Sequence, residues 1–118
     1  MKPSALLIHV HDVQQGLNWY SRVFPNSKAI SFDDGMPTAL LIDGFLLELV
    51  ISDEKVGSGK FGTIMYWMVP QLDFAIQSFI GIGAKLYRGP MAIEDGLGMC
   101  QLEDPFGNLI GLRGPYSN

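Results

Sequence analysis

The chain has 118 residues, 47% hydrophobic and 17% charged, which is the composition of a globular domain with one sizeable core and not of a disordered segment. A net charge of −4 without any Lys/Arg run argues against nucleic acid as a partner, and no apolar stretch approaches a membrane span. The lone Cys100 rules out an internal disulfide, and the N-terminus turns polar too soon for a secretion signal, so a cytoplasmic location is expected.

In chain order, ALLIHV (5–10) has the aliphatic and β-branched content of a strand. HDVQQGLNWYSRVFP then places Val13, Leu17, Tyr20 and Phe24 at helical spacing, with Asp12 as N-cap and Pro25 as the stop. KAISF, TALLI and FLLELVI follow as short strands, separated by the turn signals DDGMP and DG. The polar, Gly-rich SDEKVGSGKFG (52–62) reads as an exposed connecting segment. The order then repeats: TIMYWMV (63–69) is a strand, and PQLDFAIQSFIGIGA is a helix with Leu72, Ala75, Ile76 and Phe79 on one face. KLYRGPMAI, GMCQLED and NLIGLRG complete the series as strands.

Each half is therefore β-α-β-β-β, and Val10 and Val69 hold equivalent places at the end of their first strands. The expected class is α+β: one domain over 1–118, with module one over 4–52 and module two over 62–114. Strand alternation sorts the side chains by face. Leu6, Ile8 and Val10 suit the helix side of their strand, and Leu7 and His9 the other. Leu46, Glu48 and Val50 oppose Phe45, Leu47, Leu49 and Ile51. Tyr66 and Met68 oppose Met65, Trp67 and Val69, and Leu109, Gly111 and Arg113 oppose Ile110 and Leu112.

Two β-α-β-β-β modules, LEDPFGNLIGL near the C-terminus, GIGAKLY at the end of the second helix and NWYSRVFPNSKAI in the first module together resemble the vicinal oxygen chelate superfamily. That superfamily includes glyoxalase I, bleomycin resistance proteins and extradiol dioxygenases. The last motif resembles its glyoxalase-like, PhnB-related subgroup. The resemblance spans essentially the whole chain. It implies a cup-shaped mixed β-sheet with helices on the outer face, usually completed by a partner subunit, so a homodimer is expected. Phe61, Trp67, Met91 and Tyr116 are the candidate apolar contacts.

It also implies four metal-ligand positions, which here hold Ala5, Glu48, Ile64 and Gly111. A catalytic divalent ion needs about three protein ligands with open positions left for substrate. One carboxylate does not meet that need, so no metal and no other cofactor is expected at this constellation. A divalent metal at a displaced site including His9 and Glu48 is the alternative, and would make the protein a lyase or dioxygenase. An antibiotic-sequestering resistance protein is a third reading. The first is a protein that binds a small molecule in the sheet concavity.

The ligand-binding candidates are His9, Glu48, Tyr66, Met68 and Arg113. His9 reads as a hydrogen-bonded histidine of the core or cavity, or as a ligand of the displaced site. Glu48 is costly to bury alone, so it faces an open cavity or finds a partner such as His9 or Arg113. Tyr66, Trp67 and Met68 either line a pocket or pack in the core. Arg113 offers a two-pronged donor to an anion, or else pairs with an acid at the rim. Cys100 reads as a small buried hydrophobe in preference to a nucleophile.

Overall fold

Each strand and helix read from the sequence is present in the computed structural model, which describes residues 1–117. The chain divides into two compact units, Met1–Ser58 and the segment from Gly59 onward. In the first, β1 (Ala5–Val10) leads into α1 (Val13–Val23), followed by β2 (Lys28–Ile30), β3 (Ala39–Ile42) and β4 (Phe45–Ile51). Asp12 is extended, and its carboxylate accepts the Gln15 N–H at 3.0 Å, which satisfies one of the free donors of the first helical turn. After Val23 the Phe24 N–H still donates to the Tyr20 carbonyl at 2.9 Å, and Pro25 ends the series.

The first sheet has the order β1-β4-β3-β2, with β1 parallel to β4 and the other pairs antiparallel. Val10, Leu40, Leu47 and Leu49 are buried on its helix side. The approach of α1 is close: a Cβ on Gly16 would lie 3.1 Å from the Leu49 side chain. Helical spacing did not point to Trp19, yet it is buried edge-on to Tyr20, with ring centroids 4.9 Å apart. Val13 and Phe24, which the spacing did select, are only partly buried at the two ends of the helix. The β3–β4 hairpin turns on Asp43 and Gly44, both at positive φ (49° and 79°), the geometry for which an Asp-Gly pair is suited.

The second unit contains β5 (Tyr66–Met68), α2 (Leu72–Gly81), β6 (Lys85–Ala92), β7 (Leu97–Glu103) and β8 (Leu109–Pro115), with a single 3₁₀ turn (Glu94–Gly96) before β7. Its sheet order, β5-β8-β7-β6 with β5 parallel to β8, repeats that of the first. Leu72, Ile76 and Phe79 of α2 are buried, as are Cys100, Leu102, Ile110 and Leu112 of the sheet. β5 is shorter than the expected 63–69. The register pairing Tyr66 with Gly111 would set residue 63 opposite Asn108, which already belongs to the turn before β8.

That turn explains the DPFGN motif. The Asp104 carboxylate is buried, and it accepts the N–H groups of Phe106 (2.8 Å) and Asn108 (2.9 Å). Its own N–H donates to the Asn108 carbonyl at 2.8 Å, so a buried charge is held by several hydrogen bonds. Residues 52–62 hold neither helix nor strand but are tied down. Asp53 Oδ1 accepts from the N–H groups of Lys55 and Val56, and Ser58 Oγ donates to the His9 carbonyl at 2.7 Å. No helix among the described residues is long and apolar enough to cross a membrane.

Candidate functional site

Each sheet has one face covered by its own helix and one face turned away from it, and the register assigns every candidate to the second kind. In the first unit Leu7 stands beside Glu48 and His9 beside Val50, with Ala39 and Leu41 continuing the face on β3. His9 and Glu48 therefore share a face, one step apart along neighbouring strands. Leu7 is 48% exposed and Glu48 partly so, whereas Leu47 and Leu49 behind them are buried. Among the described residues the Glu48 side chain makes no hydrogen bond or ion pair, so it has neither His9 nor Arg113 as a partner. His9 is partly buried, and its charge helps, after the two backbone N–H bonds, to hold the Asp53 carboxyl below its ordinary pKa.

In the second unit Tyr66 lies beside Gly111, and Met68 beside Arg113. On the far side of β8, Gln101 is opposite Gly111 and Met99 opposite Arg113. The Tyr66 ring lies flat over Gly111: a Cβ there would fall 2.6 Å from ring atoms Cγ and Cδ2, so only glycine leaves room for it. Gln101 Nε2 donates to the Tyr66 hydroxyl at 2.8 Å, and the Arg113 guanidinium sits over the ring with its central carbon 5.3 Å from the centroid. That is within the range of a cation–π contact. The structure thus brings Tyr66, Met68 and Arg113 together. Gln101, Met99 and the role of Gly111 were not found from sequence. The only signal for them was a polar Gln and a Gly breaking otherwise apolar rows.

The metal that the sequence resemblance implies does not fit these residues. Of the four implied ligand positions, Ala5 and Ile64 have no donor side chain, and Gly111 has lost its side-chain space to the Tyr66 ring. Among the described residues no group of three or more His, Cys, Asp or Glu is placed to hold a metal ion. Cys100 is fully buried, and that burial pushes its thiol up to about 11, which suppresses the nucleophilic thiolate at neutral pH. A cavity of about 320 Å³ lies elsewhere, at the start of α2, lined by Gln71, Asp73, Gly96, Pro115, Tyr116 and Ser117. It includes none of the five candidates.

With two β-α-β-β-β units of one topology and a helix-free face on each sheet, the protein has the vicinal oxygen chelate fold, that of the glyoxalase/bleomycin resistance/dioxygenase proteins. A glyoxalase/bleomycin resistance protein/dioxygenase family enzyme from Burkholderia phytofirmans PsJN superposes with a TM-score of 0.78 at 16% identity, covering 96% of this chain and 98% of its own. TioX from Micromonospora sp. ML1 gives a TM-score of 0.71 at 15% identity, covering 98% of this chain and 100% of its own. The fosfomycin resistance protein FosX from Mesorhizobium loti gives 0.71 at 13% identity, with 98% and 92% covered. No protein-family profile and no curated protein matches the sequence. The likeness to a PhnB-related subgroup is carried by NWYSRVFPNSKAI alone.

Proposed function

We propose that the chain is a small-molecule-binding protein of this fold that works without the fold's usual metal centre. Each sheet offers its own groups for a ligand: His9 and Glu48 on the open face of the first, and Tyr66, Met68 and Arg113 on that of the second. The observation that supports this most is the Tyr66 ring over Gly111. Where the family resemblance calls for a metal-binding carboxylate, this chain carries an aromatic surface with its hydroxyl held by Gln101 and a cation on its face. Such a surface suits an organic molecule, and the aliphatic and thioether groups around it suit the exclusion of water. The protein acts in the cytoplasm as a homodimer, a reading supported by the exposure of Phe61 (97%) and Met91 (41%).

A thermal-shift screen tests the reading, using small keto acids, cationic glycopeptides and fosfomycin, the last because a fosfomycin resistance protein shares the fold. A ligand at a hundred times its Kd adds about 3 kcal/mol, which is roughly 10 °C in Tm for a chain of this size. The expected result is a shift of that order from one class, lost in Tyr66→Ala. About one Ni, Zn, Fe or Mn per chain in protein purified without chelator, lost on Glu48→Ala, would replace this reading with a displaced-metal lyase or dioxygenase. Light scattering is expected to give about twice the 13.0 kDa chain mass. A monomer at micromolar concentration refutes the dimer.

A further inference from the structure

We propose that the open face of the second sheet is an anion receptor, and that its ligand is an organic oxyanion, carboxylate or phosphonate, on an apolar body. The proposal rests on the binding reading above and names the class of ligand. Arg113 is its centre. Among the described residues its side chain makes no hydrogen bond and no ion pair, and its Nε is shut off from solvent without an acceptor. The terminal amino groups are not shut off in this way, so the guanidinium presents its two-pronged outer edge for binding while its inner nitrogen is tucked away. That edge matches the two oxygens of a carboxylate or phosphonate.

The guanidinium is also held in place before any ligand arrives. Gly111 supports the Tyr66 ring, Gln101 fixes the ring's hydroxyl, and the ring supports the cation. Less side-chain freedom is then lost on binding. On either side of Arg113, in register, stand Met68 and Met99, whose pliable thioethers provide the surface for an apolar body.

The charge on this face runs against that of the whole chain, which is −4. Lys85 lies opposite Glu103, Arg88 opposite Gln101, and Lys60 Nζ is 3.3 Å from Glu103 and 5.8 Å from the Tyr87 ring centre. All the basic residues of the second unit are therefore on this face or against it. Glu103 is the acid that the strands of this sheet carry on the face, and it is engaged by Lys60. An anion meets a net positive surface with one unengaged fork at its middle.

The test uses the arginine Nε–H signals in an NMR spectrum of the intact protein. The chain has only Arg22, Arg88 and Arg113, and the Arg113 signal is identified by its loss in Arg113→Lys. Benzoate and phenylphosphonate are the charged probes and benzamide the neutral one. The expected result is a saturable shift of the Arg113 signal with at least one charged probe, with Arg22 and Arg88 unmoved and benzamide without effect on any of the three. Arg113→Gln is expected to weaken the charged probe by roughly tenfold or more, the loss of a charge-assisted hydrogen-bond pair. Equal shifts with benzamide, parallel unsaturable movement of all three arginines, or unchanged affinity in Arg113→Gln overturn the proposal. If all three probes perturb the amides of Met68 and Met99 but not Arg113, the face binds small molecules and the anion assignment fails. If no probe perturbs any residue of the face, the anion assignment fails, and the binding reading falls with it when the thermal-shift screen is also without a hit.

Discussion

In the first unit Leu7 stands beside Glu48, with Ala39 across β4; at the corresponding places in the second, Tyr66 stands beside Gly111, with Gln101 across β8. One step along, His9 beside Val50 becomes Met68 beside Arg113. Two sheets of the same order and the same parallel first pair thus carry opposite charges at neighbouring points: a carboxylate among aliphatic side chains in one, a cation on an aromatic ring in the other. The helix-side rows differ far less. Leu49 and Leu112 hold equivalent buried positions, as do Leu40 and Leu102. The topology depends on the apolar row under the helix, so the opposite row is free to change. When it changes, a large residue needs a small neighbour on the next strand.

The most severe test of this likeness is Leu49→Ala against Leu112→Ala. If the two cores are equivalent, each variant loses about 3 kcal/mol, the usual cost of emptying a leucine site, as read by urea denaturation. A much smaller loss at one of them would show that its core tolerates collapse.

The second test uses a difference between the cores, since Cys100 occupies the place that Thr38 holds in the first unit. Burial raises the Cys100 pKa to about 11 from an ordinary value of 9.0, an effect partly opposed by a backbone hydrogen bond involving Leu112. The unfolded chain therefore releases this proton first as pH rises. The contribution is complete below pH 9 and is lost between about pH 9 and 11, reaching roughly 3 kcal/mol at about 1.4 kcal/mol per unit. The stability of Cys100→Ala should fall less steeply than wild type across that window.

Gly111→Ala comes next. The added Cβ overlaps the Tyr66 ring, and overpacking of this kind costs about 2 kcal/mol. In a Tyr66→Ala background the same change should be nearly neutral, and a double-mutant cycle measures the coupling. Equal costs in both backgrounds would show that the ring is not what excludes the side chain.

The smallest effect concerns the helix caps. Asp12 caps α1, whereas Gln71 at the start of α2 makes no side-chain cap bond. Asp12→Ala should cost about 1 kcal/mol, and Gln71→Asp should add a few tenths to about 1 kcal/mol by building the missing cap. Thermal denaturation of the two single variants reads both signs.

Much of the fold was legible because its signals are local. Asp12 and Pro25 bracket a helix, Asp43-Gly44 makes a two-residue turn, and DPFGN closes on a carboxylate that accepts its neighbours' N–H groups. Strand alternation also sorted His9, Glu48, Tyr66, Met68 and Arg113 onto the faces turned from the helices, opposite the rows marked by the buried Val10, Leu47, Leu49 and Leu112. The ends of β5 were not legible, since they depend on how far its partner strand extends. Trp19 was missed because helix α1 packs so closely at Gly16 that its buried face is wider than a simple spacing rule allows. Gln101 was missed because its significance arises only from contact with a ring many residues away.

The Tyr66–Gly111 contact also bears on whether such a protein could carry a metal-binding carboxylate at residue 111. Gly111→Glu by itself drives a side chain into the ring, while removing the ring first strips Gln101 and Arg113 of the group they contact. Each single step is therefore disfavoured even if the double replacement is tolerated. In evolutionary terms the contact is an interlock: the ring and the glycine hold each other in place, and any larger side chain at 111 requires both positions to change together.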